Sequence, residues 1–108
     1  MNTYNTRVDG FDIELTFEDE DISPIDCYGA DYEGINDICA RINDGIDVWV
    51  CAKVTASKKG IELASEYLGA VHYEWDKLDN FIQDGYFEDM VNTVVGEAQL
   101  KLQELLVA

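Results

Sequence analysis

Four carboxylates fall at alternate positions within one short stretch: Asp12, Glu14, Glu18 and Glu20, with Thr16 the only even position between them that is not acidic. In an extended chain, side chains two residues apart lie about 6.6 Å from each other on one face, twice the strand rise. That interval is of the same order as the separation of phosphates along a nucleic-acid strand. A row of carboxylates so spaced has the chemistry to enter a Lys/Arg groove that otherwise follows a nucleic-acid backbone, each carboxylate standing in for a phosphate. Asp19 belongs to the acidic run Glu18-Asp19-Glu20-Asp21 that follows the strand. Glu33, Asp37 and Asp44 gather around the polar side of the next helical segment, where Arg41 lies among them and is placed to pair with Asp37. The candidate partner-binding residues are therefore Asp12, Glu14, Glu18, Asp19, Glu20, Glu33 and Asp37.

Other chemistry finds less in the residue pattern. No phosphate-binding Gly-rich loop, G-x-S-x-G or H-E-x-x-H motif occurs. His72 is the single histidine and sits between Val71 and Tyr73 in an expected strand, a structural or surface position more than half of a nucleophile–base pair. Cys27, Cys39 and Cys51 are an odd set without C-x-x-C spacing, so they are expected to be buried free thiols and not a zinc site. The run Glu18-Asp19-Glu20-Asp21 offers hard oxygens, but the EF-hand spacing is missing. Carboxylates are too frequent for any one pair to single itself out as an acid–base dyad. No catalytic residue, cofactor or metal site is assigned, and an enzyme is not expected.

The elements that must carry the acidic row follow from hydrophobic periodicity. Phe11, Ile13, Leu15 and Phe17 alternate with the polar positions, which predicts a strand with one buried face. Ser23-Pro24 and Gly29 predict a loop after it. Ile35, Ile38, Cys39 and Ile42 fall on one helical face, with Asp31 as the expected cap and Asp44-Gly45 as the stop. Ile46 to Ala56 reads as a central strand with apolar groups on both sides, Ser57-Lys58-Lys59-Gly60 as a hairpin turn, and Ile61 to about Tyr73 as a further strand whose alternation slips around Ala64-Ser65-Glu66. Asp76 is the expected cap of a short helix holding Leu78, Phe81 and Ile82, ended by Gly85. Phe87, Met90, Val91, Val94, Ala98, Leu102 and Leu105 then form the stripe of a long helix, in which Gly96 suggests close approach of another element. Trp49 is expected in the core or partly buried, Trp75 partly exposed. The expectation is an α+β domain: about three antiparallel strands in the order β-α-β-β-α-α, with helices on one face.

The bulk numbers bound this picture. The chain has 108 residues, 47% of them hydrophobic, and a formal net charge of −16. This suits one domain over residues 1–108 with a real core. The charge is uneven: residues 1–47 hold thirteen acids against two bases, residues 48–108 ten against five. Such acidity opposes contact with free nucleic acid or an anionic membrane and favours a basic protein surface. It exceeds the charge magnitude of about 2–8 usual for a small soluble domain. Met1 to Asn5 shows neither a basic nor an apolar leader, which gives the expectation of a cytoplasmic protein, monomer or homodimer.

Three stretches carry a resemblance: Lys53-Val54-Thr55-Ala56-Ser57, Tyr67-Leu68-Gly69, and Asp84-Gly85-Tyr86-Phe87-Glu88-Asp89-Met90. Together they resemble small acidic proteins encoded by bacteriophages, prophages and plasmids. By analogy with anti-CRISPR and anti-restriction inhibitors from such elements, the resemblance implies a bacterial host cytoplasm and a nucleic-acid-binding defence complex as target. The expected function is thus an acidic inhibitor that occupies a basic nucleic-acid groove by DNA mimicry. The alternative is an accessory module that binds through aromatic and apolar surface, for which Trp75, Tyr86 and Phe87 are the residues to watch.

Overall fold

The computed structural model describes residues 3–107, so Met1, Asn2 and Ala108, at the two ends of the readings above, lie outside the described residues. The elements are β1 (Tyr4–Val8), β2 (Phe11–Asp19), α1 (Pro24–Tyr28), α2 (Ile35–Asn43), β3 (Asp47–Lys58), β4 (Ile61–Glu74), α3 (Asn80–Gln83) and α4 (Tyr86–Val107). All four strands join one antiparallel sheet in the order β1-β2-β3-β4. The α+β class holds. The strand count is four, and the element order is β-β-α-α-β-β-α-α.

The additional strand has a local cause. Asp9 and Gly10 both take positive φ, 53° and 85°, which is the two-residue turn whose twist matches a tight hairpin. It folds Tyr4–Val8 back against Leu15–Phe11. Lys59 and Gly60 repeat the geometry at 52° and 79° between β3 and β4, where a turn was expected. β2 ends at Asp19, one residue short of the stretch needed to carry Glu20 on the row.

The main core lies on one side of the sheet. Phe11, Ile13 and Leu15 of β2, Val50, Ala52, Val54 and Ala56 of β3, and Val71 of β4 meet Leu78, Phe81 and the α4 residues Phe87, Met90, Val91, Val94, Val95 and Ala98. Burying a side chain such as Leu15 or Val94 contributes roughly 1.5–3 kcal/mol, so these two facing stripes are what fix the α4–sheet orientation. Leu105, expected on the stripe, is exposed beside the β3–β4 hairpin, in a groove that the sheet leaves open. Nothing lies within 4 Å of a Cβ built at Gly96, so close packing is not the reason for that glycine.

α1 and α2 serve the other side. Asp47 and Trp49 point away from the Val50 and Ala52 side of the pleat, and α1 and α2 approach them there. The helices therefore divide between two faces instead of sharing one. Ser23-Pro24 opens α1 and is not a break: the Ser23 hydroxyl accepts from the Asp26 N–H, and Pro24 occupies the first turn, where no N–H is needed. α2 is preceded by Gly34 in left-handed conformation, not by an Asp31 cap. α3 is a four-residue turn whose N-cap position is Asp79, without a side-chain capping bond, so Asp76 has no capping role.

The β3–β4 register shifts twice, between Ala56 and Ser57 and between Val50 and Ala52. The first falls at Leu63, next to the expected slip. The second places Gly69 and Ala70 outside the ladder, with Ala70 at φ 57°.

The molecule is elongated, 53 × 25 × 20 Å, with a radius of gyration of 16.4 Å. A rounded chain of this length would have about 13 Å. The two ends of the sheet are distinct. The turn end gathers the Asp9-Gly10 and Lys59-Gly60 hairpins. The crossover end gathers Asp19, the α1–α2 crossover, Asp47, Glu74, α3 and the start of α4. α4 runs back from the second end to the first, where Leu102 and Leu105 reach the β3–β4 hairpin.

Candidate functional site

The fold sorts charge by end. Residues 18–47 and 74–89, which build the crossover end, hold sixteen acids and two bases, Arg41 and Lys77. Both bases are already paired: Arg41 with Asp47, and Lys77 with Glu74 at 3.4 Å. Arg7, Lys58, Lys59 and Lys101, four of the seven bases of the chain, belong to the turn end. The potential is therefore concentrated more sharply in space than along the chain.

Asp12, Glu14 and Glu18 share the face of β2 turned away from α4 and are exposed. Across the sheet they face Ser57, Thr55 and Cys51 of β3. Asp12 also faces Arg7, whose Nε lies 3.4 Å from its carboxylate. That exposed pair offsets the charge of Asp12 and assigns it to the turn end. Lys53 sits opposite Thr16, with its ammonium 5.5 Å from the Tyr67 ring centroid. Its pKa is raised, first by Tyr67 and further by Glu62 and Glu18. A cation thus stands beside the middle of the β2 row.

Asp19 is exposed on the opposite pleat from Glu18. Glu20 turns inward. One carboxylate oxygen accepts from the Ala70 N–H at 2.9 Å and the other from the Ile22 N–H at 3.3 Å. Glu20 thus satisfies the backbone donor that the β4 irregularity leaves outside the ladder. A Cβ on Gly69 would meet the same carboxylate at 2.7 Å, which accounts for glycine there. Glu33 and Asp37 are exposed at the entry to α2 and in its first turn. The expected Arg41–Asp37 pair does not form, because Arg41 is drawn to a buried carboxylate on β3.

That carboxylate organises the acidic end. Asp47 is 5% exposed at its side chain. Arg41 donates to it twice, Nε to Oδ2 at 2.9 Å and an Nη to Oδ1 at 3.0 Å, and His72 Nε2 lies 2.9 Å from Oδ2. The Arg41 hydrogen bond holds the Asp47 pKa below the usual carboxylate value despite burial, with a smaller contribution from His72. An ionised carboxylate only accepts, so His72 Nε2 carries the proton of that bond. The Arg41 guanidinium is raised in turn. Glu74 lies 3.9 Å from Arg41.

A second latch is aromatic. Trp49 Nε1 donates to the Ile22 carbonyl at 2.7 Å, and the indole, 8% exposed, meets Tyr28, which stacks on Tyr32 at 4.9 Å. The two latches fasten the segment from Asp21 to Asp44 onto β3 and hold its acids outward. Asp47, Trp49 and His72 are the residues that sequence reasoning missed in this role. The signals were an acid directly before an apolar strand and a lone histidine in the next one, and neither names a partner.

Cys51 borders the same cluster. Burial first, then Glu20, Glu18 and Asp21, raise its thiol pKa, which suppresses the thiolate. Cys27 is exposed, against expectation, because α1 buries none of its residues; Cys39 and Cys51 are half-buried, and all three are free. Trp75 is 66% exposed, Tyr86 half-exposed, and Phe87 buried against Tyr4 at 5.5 Å. Among the described residues no helix is long and apolar enough to cross a membrane. Comparison with protein-family models, with curated proteins and with solved structures found no match.

Proposed function

We propose that this chain is an acidic inhibitor that inserts its crossover end into a basic nucleic-acid-binding groove of a partner protein, a host defence complex in the manner of anti-CRISPR or anti-restriction proteins. The observation that carries the reading is the segregation of charge: sixteen acids at one end, whose two bases are already engaged. A scattered surface charge serves solubility equally well on every side. A one-sided field steers a partner and fixes its orientation. The contacts fall to Glu18, Asp19, Glu33 and Asp37, with Glu14 at the margin. Asp12 is offset by Arg7, and half-buried Glu20 is tied to the Ala70 backbone.

The test is capture of the partner from a bacterial extract on the immobilised chain, followed by titration of the purified complex with salt and with duplex DNA. The expected result is an affinity that falls steeply with ionic strength, and release of the chain when DNA occupies the groove. An affinity indifferent to salt would sink the reading. A complex that forms equally well on DNA-loaded partner would do the same.

A further inference from the structure

The turn end ends in an apolar groove of about 210 Å³, lined by Lys58, Lys59, Ile61, Leu63, Leu102 and Leu105. Around it the chain exposes large apolar side chains: Ile61 is 62% exposed, Leu105 54%, Leu106 77% and Val107 86%. Leu100 is exposed one helical repeat before Val107, on the same side of α4. Among the described residues Leu106 and Val107 find no apolar cover within their own chain, whereas the groove beside them is open. Exposed apolar groups contiguous in this way mark an interaction surface.

We infer that this surface joins two copies of the chain, α4 of each laying Leu106 and Val107 into the groove of the other. Self-complementarity selects this occupant, and charge fixes how two copies can meet. Two molecules of net charge −16 repel through most of their surface, and the crossover ends repel most. The turn end is where four of the seven bases sit. Among the described residues no ion pair holds Lys58 or Lys59, and none holds Glu104, which precedes Leu105 and Leu106 on α4. A two-fold contact brings Glu104 of one copy to Lys59 of the other, and the reverse, so one pairing is satisfied twice. The groove thus offers lysines beside an apolar floor, and the end of α4 offers a carboxylate beside apolar side chains. In the dimer the acidic ends project away from each other, each free for a partner.

The inference stands apart from the basic-groove reading, and salt separates the two. Screening relieves the repulsion between like-charged copies, so the dimer tightens as ionic strength rises, while a complex with a basic partner weakens. The experiment is sedimentation equilibrium of the purified chain at low and high salt, beside Leu106→Asp, Lys59→Glu and the double variant Lys59→Glu/Glu104→Lys. The expected results are a species of twice 12.2 kDa, an increase of about tenfold or more in its dissociation constant for Leu106→Asp, a smaller loss for Lys59→Glu, and recovery in the double variant. Leu106 is exposed, so its substitution leaves the fold intact, which the far-ultraviolet spectrum checks. A chain that stays monomeric at every concentration overturns the inference, as does a dimer indifferent to Leu106→Asp. If the wild-type chain is monomeric and Leu106→Asp weakens only the captured partner complex, the groove belongs to a different protein and the inference also fails.

Discussion

The two ends of this molecule are made from the same sheet and the same long helix, yet their surfaces differ. At the crossover end the strands stop at Asp19, Asp47 and Glu74, and the connecting segments that fill the space are short helices rich in exposed acid. At the turn end two tight hairpins leave no room for connecting segments, and what remains is the apolar tail of α4 with lysines beside it. The difference teaches where a repulsive charge load is tolerated. Acids on segments that merely cover a sheet end can point into water. Asp47, which lies under them, must be matched by Arg41 and His72. Asp37, one turn before Arg41 on α2, is left without an ion pair among the described residues by that match.

The largest test of the comparison removes charge from one end at a time. Glu18→Gln, Asp19→Asn, Glu33→Gln and Asp37→Asn together are expected to lower partner affinity by about 10²–10³-fold and to flatten the salt slope by up to about one unit per lost contact. Neutralising Asp9, Asp12 and Glu62 at the turn end should change affinity much less. Equal losses from the two sets, measured by titration calorimetry at matched salt, would break the distinction between the ends.

Next comes the latch. Asp47→Ala removes the paired Arg41 bonds and the His72 bond, and is expected to cost about 2–3 kcal/mol. Because Asp47 has a lowered pKa when folded, its contribution is complete above the unfolded value of about 4 and is lost as pH falls through the folded value. The stability gap between wild type and Asp47→Ala, read by urea unfolding at about pH 7 and at successively lower pH, should therefore narrow in acid. A gap that persisted at the lower pH would show that the carboxylate's charge is not what the latch uses.

A smaller effect is expected at the β4 irregularity. Glu20→Ala leaves the Ala70 N–H without its acceptor and should cost about 1–2 kcal/mol. Gly69→Ala forces the same carboxylate aside. Since both act on one hydrogen bond, the double variant should be less destabilised than the sum of the two, in a thermal-melt cycle. Full additivity would separate Gly69 from Glu20.

The smallest effect is expected at Trp75. Its side chain is 66% exposed at the crossover end, and Trp75→Ala should change stability by no more than about 0.5 kcal/mol. Partner affinity should be nearly unchanged. A large loss of affinity without loss of stability would move the contact from carboxylates to aromatic surface.

Much of this molecule follows from local pattern. The alternation Phe11 to Phe17, the Val-rich central strand, the Lys59-Gly60 hairpin and the α4 stripe are decided by residues near one another in sequence, because a strand or helix buries one face at a fixed period. β1 was not legible: Asp9-Gly10 marks a turn, but Tyr4–Val8 has too little apolar alternation to declare itself. It is a strand because β2 offers it a free edge. Ser23-Pro24 carried a helix start and a loop signal at once, and the Trp49–Ile22 contact favours the first.

Sequence by itself determined that the protein is acidic, that its early residues carry most of that charge, and that β2 presents Asp12, Glu14 and Glu18 on one face. Only tertiary structure decided what each charge is worth. It offset Asp12 with Arg7, tied Glu20 to the Ala70 backbone and moved Arg41 from Asp37 to Asp47. It also folded residues 74–89 beside residues 18–47, so that two distant acidic stretches became one field. The physical reason is that side-chain type and strand period are local properties. The energy of a charge depends on the dielectric and on the partners around it, and those come from segments far apart in the chain.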